Sequence, residues 1–317
     1  MLSRRDFLAA AVAASAIPPV KLTSRERIDR ALKGGEVDRP PFTFWYHFGL
    51  QDQPAPRHAE ATLKFHRKFH TDLVKVMSDF PYPKPAGEWY ELKAISNPFP
   101  EQVRALEIIR EGLDGTAYFV ETVFNPWNVA EKLSSPEEVK RLKAEKPQTL
   151  LDALEAITRS EIEHVNRAVA AGASGIFLAV ANAGNGVLSQ EEYARFSEPF
   201  DKMILAAASN VPLNTLHLHG DKVYLDRFCR NWPSSVLNYS TYGTRVGISN
   251  VRNQYAGVIM GGLDEVKFRK LTAAELKTQW QAAWKAAGTR FILAPGCSVP
   301  NDTTDEELSR LVTVLGA

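Results

Sequence analysis

The stretch Leu213 to Gly220, LNTLHLHG, sets His217 and His219 one residue apart at the end of an apolar run, just before a glycine. The chain has only seven histidines, so two at this spacing call for a reason. In an extended strand residues i and i+2 share a face, and the two imidazoles would point the same way. Their nitrogens could converge on an ion, or form ordinary hydrogen bonds at a strand end; the pair alone leaves both readings open.

Other groups able to do chemistry stand where further apolar runs stop. His47 closes one run and reads as a proton shuttle, an additional metal ligand or a packed histidine. Asp79 closes the next and reads as an acid/base or substrate-binding group, or as a turn-former before Pro81. Asn182, Tyr239 and Tyr242 follow later runs, Tyr239 as a catalytic or pocket-wall group and Asn182 and Tyr242 as contacts to a cofactor. Cys297 closes the last run. Asp264 has the character of a helix N-cap, and Cys229, in YLDRFCRNW, that of an inert thiol on the inner face of a helix. His58, His66, His70 and His164 fall on expected outer helices, where solvated roles are the default.

The elements that must position these groups alternate. Apolar, β-rich runs recur at 40–48, 73–80, 116–124, 175–181, 213–219, 236–241, 256–263 and 290–297. Helical periodicity lies between them, at Leu150 to Ala171, Gln190 to Ala208 and Thr272 to Ala287. Strands alternating with helices, without hairpin dipeptides, predict parallel βαβ units. Eight of them in a chain of 317 residues predict a single-domain (β/α)8 barrel, whose active site sits at the C-terminal ends of the strands. That is where the groups above fall.

Composition narrows the partners. A net charge of +1 and scattered basic residues argue against nucleic acid. Two cysteines are too few for a disulfide scaffold. Residues 1–16 read as a twin-arginine export signal, with Arg4 and Arg5 before a short apolar run and Ala14–Ser15–Ala16 as a cleavage site, followed by one domain over 17–317. The run is too short for a stable membrane anchor, so the expected location is periplasmic or otherwise extracytoplasmic. Twin-arginine export carries folded proteins, which suits an enzyme that takes up a metal or cofactor first.

The segments RERIDRALKGGEVDRPP, VMSDFPYP, LHLHGD, MGGLDE and APGCSVPNDTTDEEL, in this order, resemble the uroporphyrinogen decarboxylase superfamily over nearly the whole chain after its N-terminal segment. The resemblance implies a (β/α)8 barrel and one of two chemistries. In the decarboxylases, arginines after strand one hold an acidic macrocycle and an aspartate after strand two binds its pyrrole nitrogens. Asp79 matches that aspartate, but FTFWYHFGLQDQ carries none of the arginines, and Cys297 stands where decarboxylases have a histidine. Each missing contact to a carboxylate is worth about 1.5–3 kcal/mol.

In the zinc-dependent, corrinoid-linked methyltransferases, zinc is held by a His-x-Cys pair after strand five and a cysteine after strand eight. His217 matches that histidine and Cys297 the distant cysteine, while His219 stands where cysteine is usual. Imidazole and thiolate are both ordinary zinc ligands, and three protein ligands leave the open position of a catalytic site. The implied protein is an exported enzyme that transfers a methyl group to a zinc-activated nucleophile. It would use a small-molecule substrate, with a corrinoid or tetrapyrrole as substrate or partner and a corrinoid protein as a further partner. Two alternatives stay open: a decarboxylase of a porphyrinogen-like or other carboxylated substrate, and a non-catalytic periplasmic binder of metal or tetrapyrrole. A metal-free, hydrogen-bonded pocket at the three residues also stays open.

Overall fold

The apolar runs from residue 73 onward become seven strands: β1 Leu73–Val76, β2 Tyr118–Phe124, β3 Ile176–Val180, β4 Thr215–Leu218, β5 Val236–Tyr239, β6 Val258–Leu263 and β7 Phe291–Pro295. All neighbours pair in parallel and in chain order, forming one curled sheet. The computed structural model describes residues 21–317, so the expected export signal lies outside the described residues. Among the described residues no helix is long and apolar enough to cross a membrane.

Period-two alternation divides each strand between two cores. Leu73, Val120, Phe177, Val236, Val258 and Ile292 pack with Trp45 and Met77 on the inner side of the curl. Leu178, Leu216, Leu218, Leu237, Tyr239 and Ile259 pack on the outer side against the helices. Helix starts follow local chemistry. Thr272 and Glu275 form a reciprocal cap that begins the helix Ala273–Ala287. The expected helix over 190–208 is broken into Gln190–Phe196 and Glu198–Ala207, because Pro199 has no N–H to return to the preceding turn.

The expected first strand, 40–48, is not a regular strand. Phe42 makes a single parallel bridge to Leu293 of β7, with Thr43 N donating to Leu293 O and Leu293 N to Pro41 O. On its other side, Asp72 N donates to Phe42 O. Pro40 and Pro41 lack N–H groups, so a ladder cannot extend through them.

What holds this segment instead is a buried ion cluster. Asp72 is fully buried. Its carboxylate accepts from Phe42 N at 3.0 Å, from Arg27 Nη1 at 3.1 Å and from both Arg39 Nη groups. Arg27 is bonded in turn to Asp38 at 2.7 Å. Asp72 and Asp38 together therefore balance the two guanidinium groups, and Asp72 ties residues 38–42 to the start of β1.

Removing one member of such a cluster leaves charge buried without compensation. Asp72→Asn is expected to lower stability by about 3 kcal/mol in urea denaturation, with faster amide exchange at Phe42 and Thr43 than in the wild type. A variant as stable as the wild type would show that the cluster does not hold this segment.

Candidate metal centre

β4 pairs with β3 through His217↔Ala179 and with β5 through His217↔Asn238. Leu216 and Leu218 face the outer core, so His217 faces the inner side, where its ring stacks on Phe177 at 4.9 Å. Beyond β4 the ladder continues for one bond, His219 N to Val180 O. His219 therefore keeps the face of His217, as the sequence spacing predicts, and the two ring centroids are 6.0 Å apart.

Cys297 reaches them from the end of β7. Gly296 makes this approach sterically possible: a Cβ there would lie 2.2 Å from Ser240 Cα, inside any tolerable contact. The thiol lies 3.3 Å from His219 Nδ1. One ligand atom from each of His217, His219 and Cys297 falls within a 4.8 Å group.

The tautomer of His217 follows from its neighbour. Asn238 Nδ2 donates to Met260 O at 3.0 Å and to Pro295 O at 3.2 Å, which fixes the amide so that Oδ1 faces His217 at 2.6 Å. An amide oxygen only accepts, so Nδ1 of His217 carries the proton and its Nε2 lone pair remains for the cluster. A histidine ligand whose second nitrogen donates to a fixed acceptor is the usual arrangement around a bound metal. Two imidazoles and a thiol make a donor set suited to zinc and ill suited to magnesium or calcium. The residues fit a zinc ion.

Burial pushes the Cys297 thiol up, but the His217 and His219 rings beside it outweigh that effect and bring the thiol down to about 4. His219 is raised, first by its bond to Cys297 and against the effect of burial. A cationic neighbour, whether a protonated imidazole or a metal ion, favours the thiolate at this position.

These three residues line a cavity of about 450 Å³ together with Trp45, His47, Lys75, Phe177 and Lys132. A second cavity of about 290 Å³ adjoins it and shares His47, Thr122, Phe124 and Lys132. Asp79 lines that second cavity. His47 Nδ1 donates to Asp79 Oδ1 at 2.8 Å, and Asn301 Oδ1 accepts from His47 N. Burial raises the Asp79 carboxyl, yet its bond to His47 and that residue's charge leave it lowered overall. Asp79 Oδ2 is buried with no partner.

Tyr239 lies elsewhere than its position at a strand end suggested. It follows Asn238 by one residue, so it points to the outer core, where its hydroxyl donates to Val246 O at 3.3 Å. Asn182 is fully buried in a network with Asn125 and Ser197 and lines neither cavity. Tyr242 is 40% exposed and also lines neither. Asp264 caps a turn by accepting from Val266 N and Lys267 N, rather than starting a regular helix. Cys229 is buried, and burial raises its thiol.

His58 and His164 are corrected from solvated to buried. His164 Nε2 bonds Glu121 at 3.0 Å, and Glu121 sits in the outward half of β2's alternation. The sequence reading missed Asn238, Lys75, Lys132 and Glu161. Burial pulls both lysines down to about 8 and raises Glu161, at the wall of the smaller cavity, to about 8. A signal existed for two of them: Asn238 and Lys75 are polar residues inside apolar runs, at inward positions by the period-two rule.

Parallel strands joined in chain order, with their chemistry gathered at the carboxyl edge, define a barrel-like α/β protein of the kind that carries its site on the loops above the sheet. Within that class, the chain belongs to the uroporphyrinogen decarboxylase family, whose sequence model matches residues 82–316. Among solved structures it is similar in fold to a methyltransferase from Methanosarcina mazei, at 19% identity and a TM-score of 0.77, over 93% of this chain and 98% of that one. It is also similar to a B12-independent methionine synthase from Shewanella sp. W3-18-1, at 11% identity and a TM-score of 0.60, over 89% and 94% of the two chains. No curated protein matches the chain in sequence.

A thiol brought down to about 4 is ionised at any pH above that value, whereas the raised Cys229 thiol stays protonated below its own higher value. In metal-free protein, iodoacetamide is therefore expected to modify Cys297 and spare Cys229 at about pH 6, because the thiolate is the nucleophile. Peptide mass spectrometry of the alkylated protein checks this. Equal labelling of the two cysteines, or labelling of Cys297 that begins only above about pH 8, would contradict the assigned electrostatics.

Proposed function

We propose that this chain is a zinc-dependent methyltransferase of its family, which transfers a methyl group to a nucleophile activated at His217, His219 and Cys297. The observation that carries the reading is the convergence of these three ligand atoms at the cavity wall, with His217 already oriented by Asn238. The fold likeness to proteins named as methyltransferase and methionine synthase is consistent with it. Zinc held by these residues would supply an open, Lewis-acidic position that favours the deprotonated form of a thiol or similar weak nucleophile.

The chain's own residues do the rest. Asn238 holds the His217 ring, and Gly296 allows the β7 end to bring Cys297 within reach. Asp79 fixes the His47 ring through Nδ1, leaving Nε2 to take or return the nucleophile's proton in the cavity. Phe177, stacked on His217, and Trp45 and Phe124 supply an apolar part of the cavity wall. We assign the methyl donor to a corrinoid, presented at the cavity mouth by a partner protein. We further propose that residues 41–45 serve as the eighth stave, giving the complete (β/α)8 barrel of the family, and that the N-terminal segment directs export.

A decarboxylase remains the second reading because Asp79 Oδ2 is a buried acceptor without a donor, as a pyrrole N–H would require. Purified protein supplied with zinc is expected to retain it stoichiometrically and to methylate a small thiol from methylcobalamin. Asn238→Ala should weaken zinc binding about tenfold to a hundredfold, and Cys297→Ser should weaken it further and abolish transfer. Protein that neither holds zinc nor methylates thiols, but releases carbon dioxide from a porphyrinogen, would replace this reading with the second.

Export has its own test. Replacing Arg4 and Arg5 together by lysine is expected to leave the full-length precursor in the cytoplasm, as seen by fractionation and immunoblotting. Normal processing of the double variant would remove the export assignment.

A further inference from the structure

Only one asparagine of the chain precedes a glycine: Asn185, before Gly186. The pair occupies the two central positions of a β-turn in the connection from β3 to the helix Gln190–Phe196, closed by Val187 N donating to Gly184 O at 3.2 Å. A turn of this kind bonds the N–H of its fourth residue and leaves that of its third free. Accordingly, Gly186 N donates to no backbone carbonyl among the described residues. Asn185 and Gly186 are both exposed. Gly186 has a φ of +126°, a conformation that favours glycine, and a Cβ there would meet nothing within 4 Å. The glycine is required by the backbone, and the space around its nitrogen is open.

Asparagines nearer the core are held in place. Asn125 and Asn182 donate from Nδ2 to the buried network that includes Ser197, and Asn238 donates to two carbonyls. Asn128 accepts the backbone N–H of Ala181. None of these amides can swing over its own main chain without breaking a buried hydrogen bond. Asn185 is under no such restraint.

We propose that Asn185 is a site of spontaneous deamidation, through a succinimide closed by Gly186 N. That nitrogen loses its proton to solvent base and attacks Cγ of Asn185. An N–C bond forms, the Cγ–Nδ2 bond breaks, and the amide nitrogen leaves as ammonia with a proton from water. Water then opens the five-membered ring at either carbonyl. Cleavage at Cγ gives an aspartate, and cleavage at the main-chain carbonyl gives an isoaspartate, with the chain running through Cγ. Nothing is oxidised or reduced, and water is the only co-reactant.

The two products differ in what they do to the fold. The turn is fastened to the segment after β4: Asn185 N donates to Lys222 O, Gly184 forms an antiparallel bridge with Val223, and Tyr224 N donates to Ala183 O. An aspartate keeps this backbone and adds only a negative charge. An isoaspartate puts one more methylene inside the ring that Val187 N closes, so that bond is lost and the turn opens. The inference needs neither metal nor substrate and stands apart from the proposed function.

The test incubates folded full-length protein in mildly alkaline buffer beside the same protein unfolded in urea, with samples digested by pepsin in acid and read by mass spectrometry. The peptide carrying Asn185 is expected to be the first to gain the mass of an amide replaced by a carboxyl, at a rate comparable to that of the unfolded chain. Fragmentation should show both isomers. Asn185→Gln should lose the gain, because its longer side chain would have to close a six-membered ring. Amide exchange at Val187 should rise in the isoaspartyl fraction and stay at the wild-type rate in Asn185→Asp. Retention of the amide in folded protein while the unfolded chain loses it, or conversion of the other asparagines at the same rate, overturns the site. Unchanged exchange at Val187 in the isoaspartyl fraction overturns the opening of the turn.

Discussion

The site depends on the orientation of one amide. Asn238 sits on β5, donates to carbonyls on β6 and β7, and accepts from a ring on β4. Four adjacent strands are thereby joined at one residue, just below the point where His219 and Cys297 arrive. Because both N–H groups of the amide are committed, its oxygen cannot turn away from His217. The ring can neither flip nor change tautomer without leaving a buried donor or acceptor unsatisfied. The geometry of the cluster is inherited from the backbone hydrogen bonding of the sheet.

Around that fixed point, the inner face of the sheet changes character along its length. Toward the amino ends of the strands it is filled by apolar side chains, with the Arg27–Asp38–Asp72–Arg39 cluster compensated beneath them. Toward the carboxyl ends, polar groups stand in a cavity without close partners: Asp79 keeps a buried carboxylate oxygen with no donor, and Lys75 finds only the Met77 sulfur within hydrogen-bond reach. The same burial that would be unfavourable in a folded core is retained where a ligand can complete it. The lower half of the molecule is built for stability and the upper half for occupancy.

Much of this was legible in the residues. The alternation of runs marked seven of the strands, and the spacing of His217 and His219 put them on one face. The motif at the end of β7 placed Cys297 beside them. His47 and Asp79, read from two separate strand ends, share a hydrogen bond. Illegible were effects set by a shift of one residue or by a missing donor. Tyr239 differs from Asn238 only by parity, and a strand end read without its register cannot tell which of the two faces inward. Pro40 and Pro41 suppress the first ladder although the run after them has strong β character. His164 lies on an outer helix but on its inner side, where Glu121, a charged residue in an apolar strand, needed a partner. Lys75 was visible as a lone charge in LVKVM, but its meaning depends on what fails to pair with it, which no sequence pattern states.

The sheet is assembled almost wholly from sequence neighbours, each strand pairing with the one before it. Its exceptions join opposite ends of the chain: Phe42 bridges Leu293, and Asn301, 254 residues away, receives the backbone N–H of His47. During synthesis the strands can therefore pair in the order they leave the ribosome, while the inner face stays open along one side until almost the last residues emerge. Cys297 is among those last residues. A nascent chain has the two imidazoles long before it has the thiol, so an ion captured early would be held by an incomplete ligand set and lost again. Only the finished polypeptide presents all three side chains together, and the closing of the sheet and the completion of the cluster become a single late event in biogenesis.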